Sequence, residues 1–220
     1  FYGTTGFEAA YNAASDGDVI TLPAQTYYNW DNDGITIKKA VTIKGTHSDG
    51  GRTKIQANVY LSLPQSNTGT IYLEGLDIFD MVFECSNVNV SKCNVETMFS
   101  PSKSSSPTII RCQIGRLVFG LLSPTIFNSV IKDTWMNDDQ AQQAGTTTCV
   151  NCVFDYTIGS EKLFVMNCIL AFGCATFPST ATPMFCLDCG SSFQLIPDAY
   201  SRLNNKEVTP GENPYEPNTY

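Results

Sequence analysis

Among the side chains able to do chemistry in this 220-residue chain, the most suggestive pair is Lys92 and Arg111, 19 residues apart. Two cations held side by side disfavour each other's charge, which lowers a lysine's pKa and suits it to act as a base. The same two residues also read as solvated residues of a bend. His47 is the sole histidine, which excludes a zinc site built from several imidazoles. Its Gly-rich setting, Thr46 to Gly51, predicts an exposed and inert residue. Cys149-x-x-Cys152 and Cys186-x-x-Cys189 have a spacing that zinc can use. A glycosidase needs two converging carboxylates; Asp77, Asp80, Asp133, Asp138 and Asp139 are the candidates, and they read equally as solvated loop residues. Trp30, Trp135, Tyr27, Tyr28 and Tyr72 can stack on sugar rings where they point outward, and pack on the protein where they do not.

These residues need a scaffold, and the chain supplies a repetitive one. Between Thr70 and Ser191 one pattern returns: an apolar residue, two variable ones, a small residue, a variable one, then another apolar residue. Leu73-Leu76-Ile78, Val90-Cys93-Val95, Ile109-Cys112-Ile114 and Ile126-Ser129-Ile131 carry it, as do Cys149-Cys152-Phe154, Val165-Cys168-Leu170 and Cys186-Cys189-Ser191. The central residues lie 17, 19, 17, 23, 16 and 21 positions apart. Each unit buries its apolar face only by stacking on its neighbours, so the chain is a solenoid. The units alternate or are β-branched and none holds a helix-length amphipathic stretch, so each rung is strand and turn.

Stacking puts equivalent positions into columns. The inward column reads Leu76, Cys93, Cys112, Ser129, Cys152, Cys168, Cys189, and small residues suit a tight inner corner. It predicts reduced, buried thiols rather than disulfides, and it accounts for both Cys-x-x-Cys pairs as successive inward positions. The column before it reads Gly75, Lys92, Arg111, Asn128, Asn151, Asn167, Asp188; Asn and Asp tolerate left-handed backbone, which places the bend of each rung there.

The segment from Gly17 through Thr21-Leu22-Pro23-Ala24-Gln25 to Tyr27, followed by Ile35 to Gly45, resembles the opening rungs of the right-handed parallel β-helix proteins of the pectate-lyase-like superfamily, closest to chondroitinase-B-like polysaccharide lyases. A Gly commonly stands there where this chain has Gln25. The resemblance, spanning Gly17 to Ser191, implies an exported protein, secreted or at the cell surface, acting on polysaccharide. In those lyases a Lys and an Arg on neighbouring rungs work beside a calcium ion. Carried over, that gives Lys92 as base, Arg111 as acid or carboxylate clamp, and Glu84, Asn87 and Asn89 as the nearest calcium ligands, with no second acidic ligand beside them. That incomplete set makes a polysaccharide-binding protein without a full active site the first expectation, with Trp30, Trp135 and Tyr72 as sugar contacts. A uronate-cleaving lyase and a structural or adhesive spacer are the alternatives.

Composition narrows the rest. Thirteen basic against twenty-one acidic residues give a net charge of −8, which disfavours nucleic acid. No run of about 18 apolar residues predicts a transmembrane helix. The expected organisation is a monomeric all-β protein: a right-handed parallel β-helix of eight or nine rungs over residues 1–196, and an extended tail over 197–220. Residues 1–16 form a capping helix, with Thr4 and Thr5 at its start and Phe7, Ala10, Tyr11 and Ala14 on its apolar face.

Overall fold

The computed structural model describes residues 3–30, 33–48, 51–101, 105–119, 122–136, 147–154, 163–166, 168–172 and 185–188. The chain opens with helix α1 (Gly3–Ala13), then β1 (Val19–Leu22), β2 (Thr26–Tyr27), β3 (Ile35–Ile37), β4 (Thr42–Gly45), β5 (His47–Ser48), β6 (Gly51–Arg52) and β7 (Lys54–Leu61). There follow β8 (Ile71–Glu74), β9 (Asp77–Phe83), β10 (Val88–Ser91), β11 (Asn94–Phe99), β12 (Thr108–Ile110), β13 (Gln113–Phe119), β14 (Thr125–Phe127) and β15 (Val130–Met136). The last are β16 (Thr147–Val150), β17 (Val153–Phe154), β18 (Leu163–Met166), β19 (Ile169–Phe172) and β20 (Phe185–Asp188).

Two parallel sheets share these strands. Sheet A runs β1-β4-β8-β10-β12-β14-β16-β18; sheet B runs β2-β7-β9-β11-β13-β15-β17-β19-β20, with β3 also against β7. From β7 to β19 consecutive strands alternate between the sheets, and the fold is a right-handed parallel β-helix. The regular part makes about six turns, somewhat fewer than eight or nine rungs, because the opening turns through β7 lack the tight corner of the later ones.

Alternation decides which side chains enter the core. On sheet A, Leu73, Val90, Ile109, Ile126 and Cys149 stand in register and each is buried. On sheet B, Ile78, Val95, Ile114, Ile131 and Phe154 do the same and face them. A one-residue slip would turn either column out to water, so hydrophobic burial fixes the register.

The corner between the sheets falls on the polar column. Gly75, Lys92, Arg111, Asn128 and Asn151 have φ of 70°, 54°, 55°, 50° and 55°. In this left-handed turn the N–H groups of Gly75, Lys92, Arg111 and Asn128 each donate to the next rung, to Ser91, Ile110, Phe127 and Val150 oxygens at 3.0 Å. The inter-rung ladder thus continues round the bend at these four corners. The next residue then points inward, and Leu76, Cys93, Cys112, Ser129, Cys152 and Cys168 are all buried.

Helix α1 covers the open first turn. Phe7 meets the Tyr27 ring edge-on at 5.7 Å and the Trp30 ring at 4.8 Å, while Tyr11 stacks on Trp30 at 5.1 Å. Lys39 Nζ donates to the carbonyls of Tyr11, Asn12 and Ala14 at 2.8, 2.9 and 2.7 Å, satisfying the helix C-terminus with a cation. The start differs from expectation. The helix already begins at Gly3, so Thr4 lies within its first turn and its hydroxyl accepts the Tyr28 N–H at 2.8 Å.

Two features set the opening turns apart. β5 and β6 form a small antiparallel ribbon, and Thr53 anchors it by donating at 3.0 Å towards the Leu22 and Pro23 carbonyls. Strand β7 carries a register shift between Ile55 and Asn58. The expected tail, the Trp135 side chain, Asp138, Asp139 and Cys189 lie outside the described residues. Among the described residues no helix is long and apolar enough to cross a membrane.

Candidate glycan-binding groove

A concavity lies on the outer face of sheet B beside the register shift in β7. Opposite β9, β7 places Gln56 and Ala57 against the single residue Phe79. At the same level on the following strands, Glu96, Gly115 and Lys132 fall outside the paired positions that flank them. Interrupted pairing bends a sheet. Repeated on five strands, it folds the outer face of sheet B into a groove of about 480 Å³.

One wall is the outward column just past the corner, Lys54, Asp77, Asn94 and Gln113, in register across four strands. The other carries Gln56, Phe79, Glu96 and Lys132, with Gly115 between the last two. Phe79 is 44% exposed and gives the groove its aromatic surface. A methyl group on Gly115 would stand 2.6 Å from the Glu96 carbonyl oxygen, so only glycine lets β13 lie this close to β11. A second hollow of about 300 Å³, bordered by Asn29, Ala57 and Asn58, shares Gln56 and Phe79 with the first. Asp77 is fixed from two sides: Arg52 Nε lies 3.1 Å away, and Asn94 Nδ2 donates to it at 2.9 Å.

Lys92 and Arg111 do stand on successive corners, as expected, but on the ridge beside the groove and not among its lining residues. Lys92 Nζ donates to Glu74 at 2.7 Å, and Lys44 reaches the same carboxylate at 3.3 Å. The hydrogen bonds from Lys92, and then from Lys44, hold the Glu74 carboxyl below its ordinary value. Arg52 donates to the Lys92 carbonyl at 2.7 Å, tying this ridge to the groove wall through Asp77.

Of the aromatic candidates, Trp30 commits its ring to the helical cap. Tyr72 is 45% exposed but lies on sheet A, in register with Thr42 and Asn89, around the corner from the groove. Trp135 belongs to β15, its backbone paired with Val118. Glu84 and Asn87 bracket the return turn from sheet B to sheet A, where the Asn87 carbonyl accepts the Ile71 N–H at 2.9 Å. Asn89 faces outward from β10 between Tyr72 and Thr108. Calcium takes six to eight oxygens, and one carboxylate with two amides falls short of that set. No group of three or more His, Cys, Asp or Glu side chains able to hold a metal occurs among the described residues. His47 is exposed on the β5–β6 ribbon.

The cysteines fill the inner corner. Cys85, Cys93, Cys112, Cys149, Cys152 and Cys168 are all reduced. Thiols at the corner point at main-chain oxygens, Cys93 at Ser91 O (3.2 Å), Cys112 at Ile110 O and Cys152 at Val150 O (both 3.4 Å). Ser129 makes the equivalent bond to Phe127 O at 2.8 Å, so hydroxyl and thiol serve the same corner. Burial pushes the Cys149 thiol well up, and hydrogen bonding with Cys112, then burial, does the same for Cys93. These are structural thiols.

Reading the repeat missed the groove residues Phe79, Glu96, Gly115 and Lys132. Each is the residue immediately after a matched apolar position, Ile78, Val95, Ile114 or Ile131. A phenylalanine beside an inward isoleucine, at a level where the other strands carry Glu, Gly and Lys, was the available signal. No family model, curated protein or solved structure matches this chain.

Proposed function

We propose that this is an exported β-helix protein of the pectate-lyase-like superfamily that binds polysaccharide along the outer face of sheet B, without a complete active site. The observation that carries the reading is Phe79, an exposed ring in a groove lined by the amides of Gln56, Asn94 and Gln113 and by two acids and two bases. An aromatic face covers the apolar face of a pyranose, and amides meet its hydroxyls; such sites combine an apolar surface with a few placed polar groups. The opening rungs, Gly17 to Tyr27 and Ile35 to Gly45, support membership of the superfamily and with it a place outside the cell. Binding without cleavage is favoured because Lys92, the candidate base, lies outside the groove and donates its hydrogen bond to Glu74.

A glycan-array screen of the purified chain beside its Phe79→Ala variant tests the proposal. Retention on one glycan class, lost in the variant while its circular dichroism is unchanged, is the expected result. Retention that survives the substitution would move the site elsewhere, and no retention on any glycan would remove the function.

A further inference from the structure

We infer that the groove takes an uncharged polysaccharide rather than a uronate, with the chain laid along the solenoid axis. This builds on the groove being a glycan site and concerns which glycans fit it.

Charge is the first ground. On and beside this face, Arg52 is paired with Asp77 at 3.1 Å and Arg116 with Asp133 at 3.0 Å. Among the lining residues themselves, Lys54 and Lys132 are matched by Asp77 and Glu96. Two bases against two acids leave the groove lining neutral, within a chain of net charge −8. A polyuronate brings one carboxylate per sugar and needs an excess of cations to offset its lost hydration; here it would meet none.

Hydrogen-bonding chemistry is the second. Gln56, Asn94 and Gln113 carry side-chain amides that both donate and accept, and sugar hydroxyls do the same. Glu96 only accepts when ionised, so a sugar hydroxyl can donate to it, whereas a carboxylate laid against it would be repelled. Phe79, 44% exposed between these polar groups, covers an uncharged pyranose face at little desolvation cost.

Length and direction follow from the rungs. The lining residues come from β7, β9, β11, β13 and β15, five strands stacked at about 4.8 Å, so the groove extends roughly 19 Å along the axis. Successive rungs offer polar groups at a spacing close to one sugar unit, which fits a linear chain better than a branched or compact oligosaccharide.

The test measures affinity by gel retardation and calorimetry for three neutral polymers, laminarin, xylan and galactomannan, and two uronates, polygalacturonate and alginate. Each is measured at about 0.05 and 0.5 M NaCl, where screening separates ionic from neutral binding. The expected result is binding to at least one neutral polymer that salt leaves unchanged within about twofold. Phe79→Ala and Gln113→Ala should each weaken it about tenfold, the order of one lost ring or hydrogen-bond contact. Lys38→Gln, an exposed cation outside the groove lining, should leave it unaltered. Tighter binding of a uronate than of every neutral polymer, weakened by salt and by Lys132→Gln, would overturn the inference while leaving glycan binding standing. Absence of binding to all five polymers would overturn both.

Discussion

Substituting Arg111 tests whether the corner column is there for its backbone. Arg111 is exposed with φ of 55°, a conformation that costs a side-chain-bearing residue roughly 1–2 kcal/mol. Glycine removes that cost but returns about 0.5–1 kcal/mol through the greater freedom of the unfolded chain. Arg111→Gly should therefore stabilise the fold by about 0.5–1 kcal/mol, with Arg111→Asn between glycine and arginine. Valine is β-branched and tolerates φ above zero poorly, so Arg111→Val should cost about 1–2 kcal/mol more than arginine. Loss of the exposed guanidinium contributes about 0–1 kcal/mol alike in every variant, so it leaves the order Gly, Asn, Val undisturbed and narrows only the margin over arginine. At this chain length the melting temperature moves about 2–4 °C per kcal/mol, so glycine and valine should differ by several degrees. Thermal unfolding followed by circular dichroism reads the order Gly, Asn, Arg, Val. Ile110, next in sequence but extended in β12, is the control, where Ile110→Gly should destabilise and Ile110→Val should be nearly neutral. Coincident melting of Arg111→Gly and Arg111→Val would refute the reasoning.

Three other perturbations follow from the same geometry. Glu74→Gln removes the carboxylate shared by Lys44 and Lys92. Because the folded-state value lies below the ordinary 4.5, the contribution is present above that pH and is lost as pH falls through the folded value. Unfolding free energies from urea titration of wild type and Glu74→Gln should therefore differ at pH 7, by under about 1 kcal/mol, and converge as the pH is taken below the folded value. Gly115→Ala pushes a methyl group against the Glu96 carbonyl and should destabilise by about 1–3 kcal/mol in denaturant titration; an unchanged midpoint would mean the strands part freely. Alkylation of the native protein with peptide mapping should mark Cys85 before Cys93, Cys112, Cys149, Cys152 and Cys168, which should become reactive only on unfolding.

The legible part of this molecule was whatever repeats. Inward apolar positions and small corner residues recur because every rung solves the same packing problem, so their columns can be read by counting. The left-handed corner was legible through Asn128 and Asn151, whose side chains favour that backbone, and its extension to Lys92 and Arg111 followed from position alone. Two stacked cations suggested catalysis, yet a corner residue is placed by its φ, and its side chain projects onto a ridge. The groove was hidden for the complementary reason. It arises where Gln56 and Ala57 together oppose Phe79, a break in the two-residue alternation, and the sequence template stops one residue short of it at Ile78. Thr4 shows the same limit: its residue type suits a helix cap, but tertiary contact gives its hydroxyl to Tyr28.

The left-handed corner also makes the molecule divisible. Because Lys92 and Arg111 have nearly the same φ and each is followed by an inward cysteine, excising residues 93–111 would join one corner to the next inward position without changing the local geometry of the junction. The product would be one rung, about 4.8 Å, shorter, and would lose Asn94 and Glu96 from the groove while keeping Phe79 and Gln113. Duplicating the same 19 residues would lengthen it by the same step. The solenoid is in this sense a gauge whose reach can be set in whole rungs, and descendants of such a chain could match longer or shorter stretches of a ligand by counting units instead of redesigning a surface.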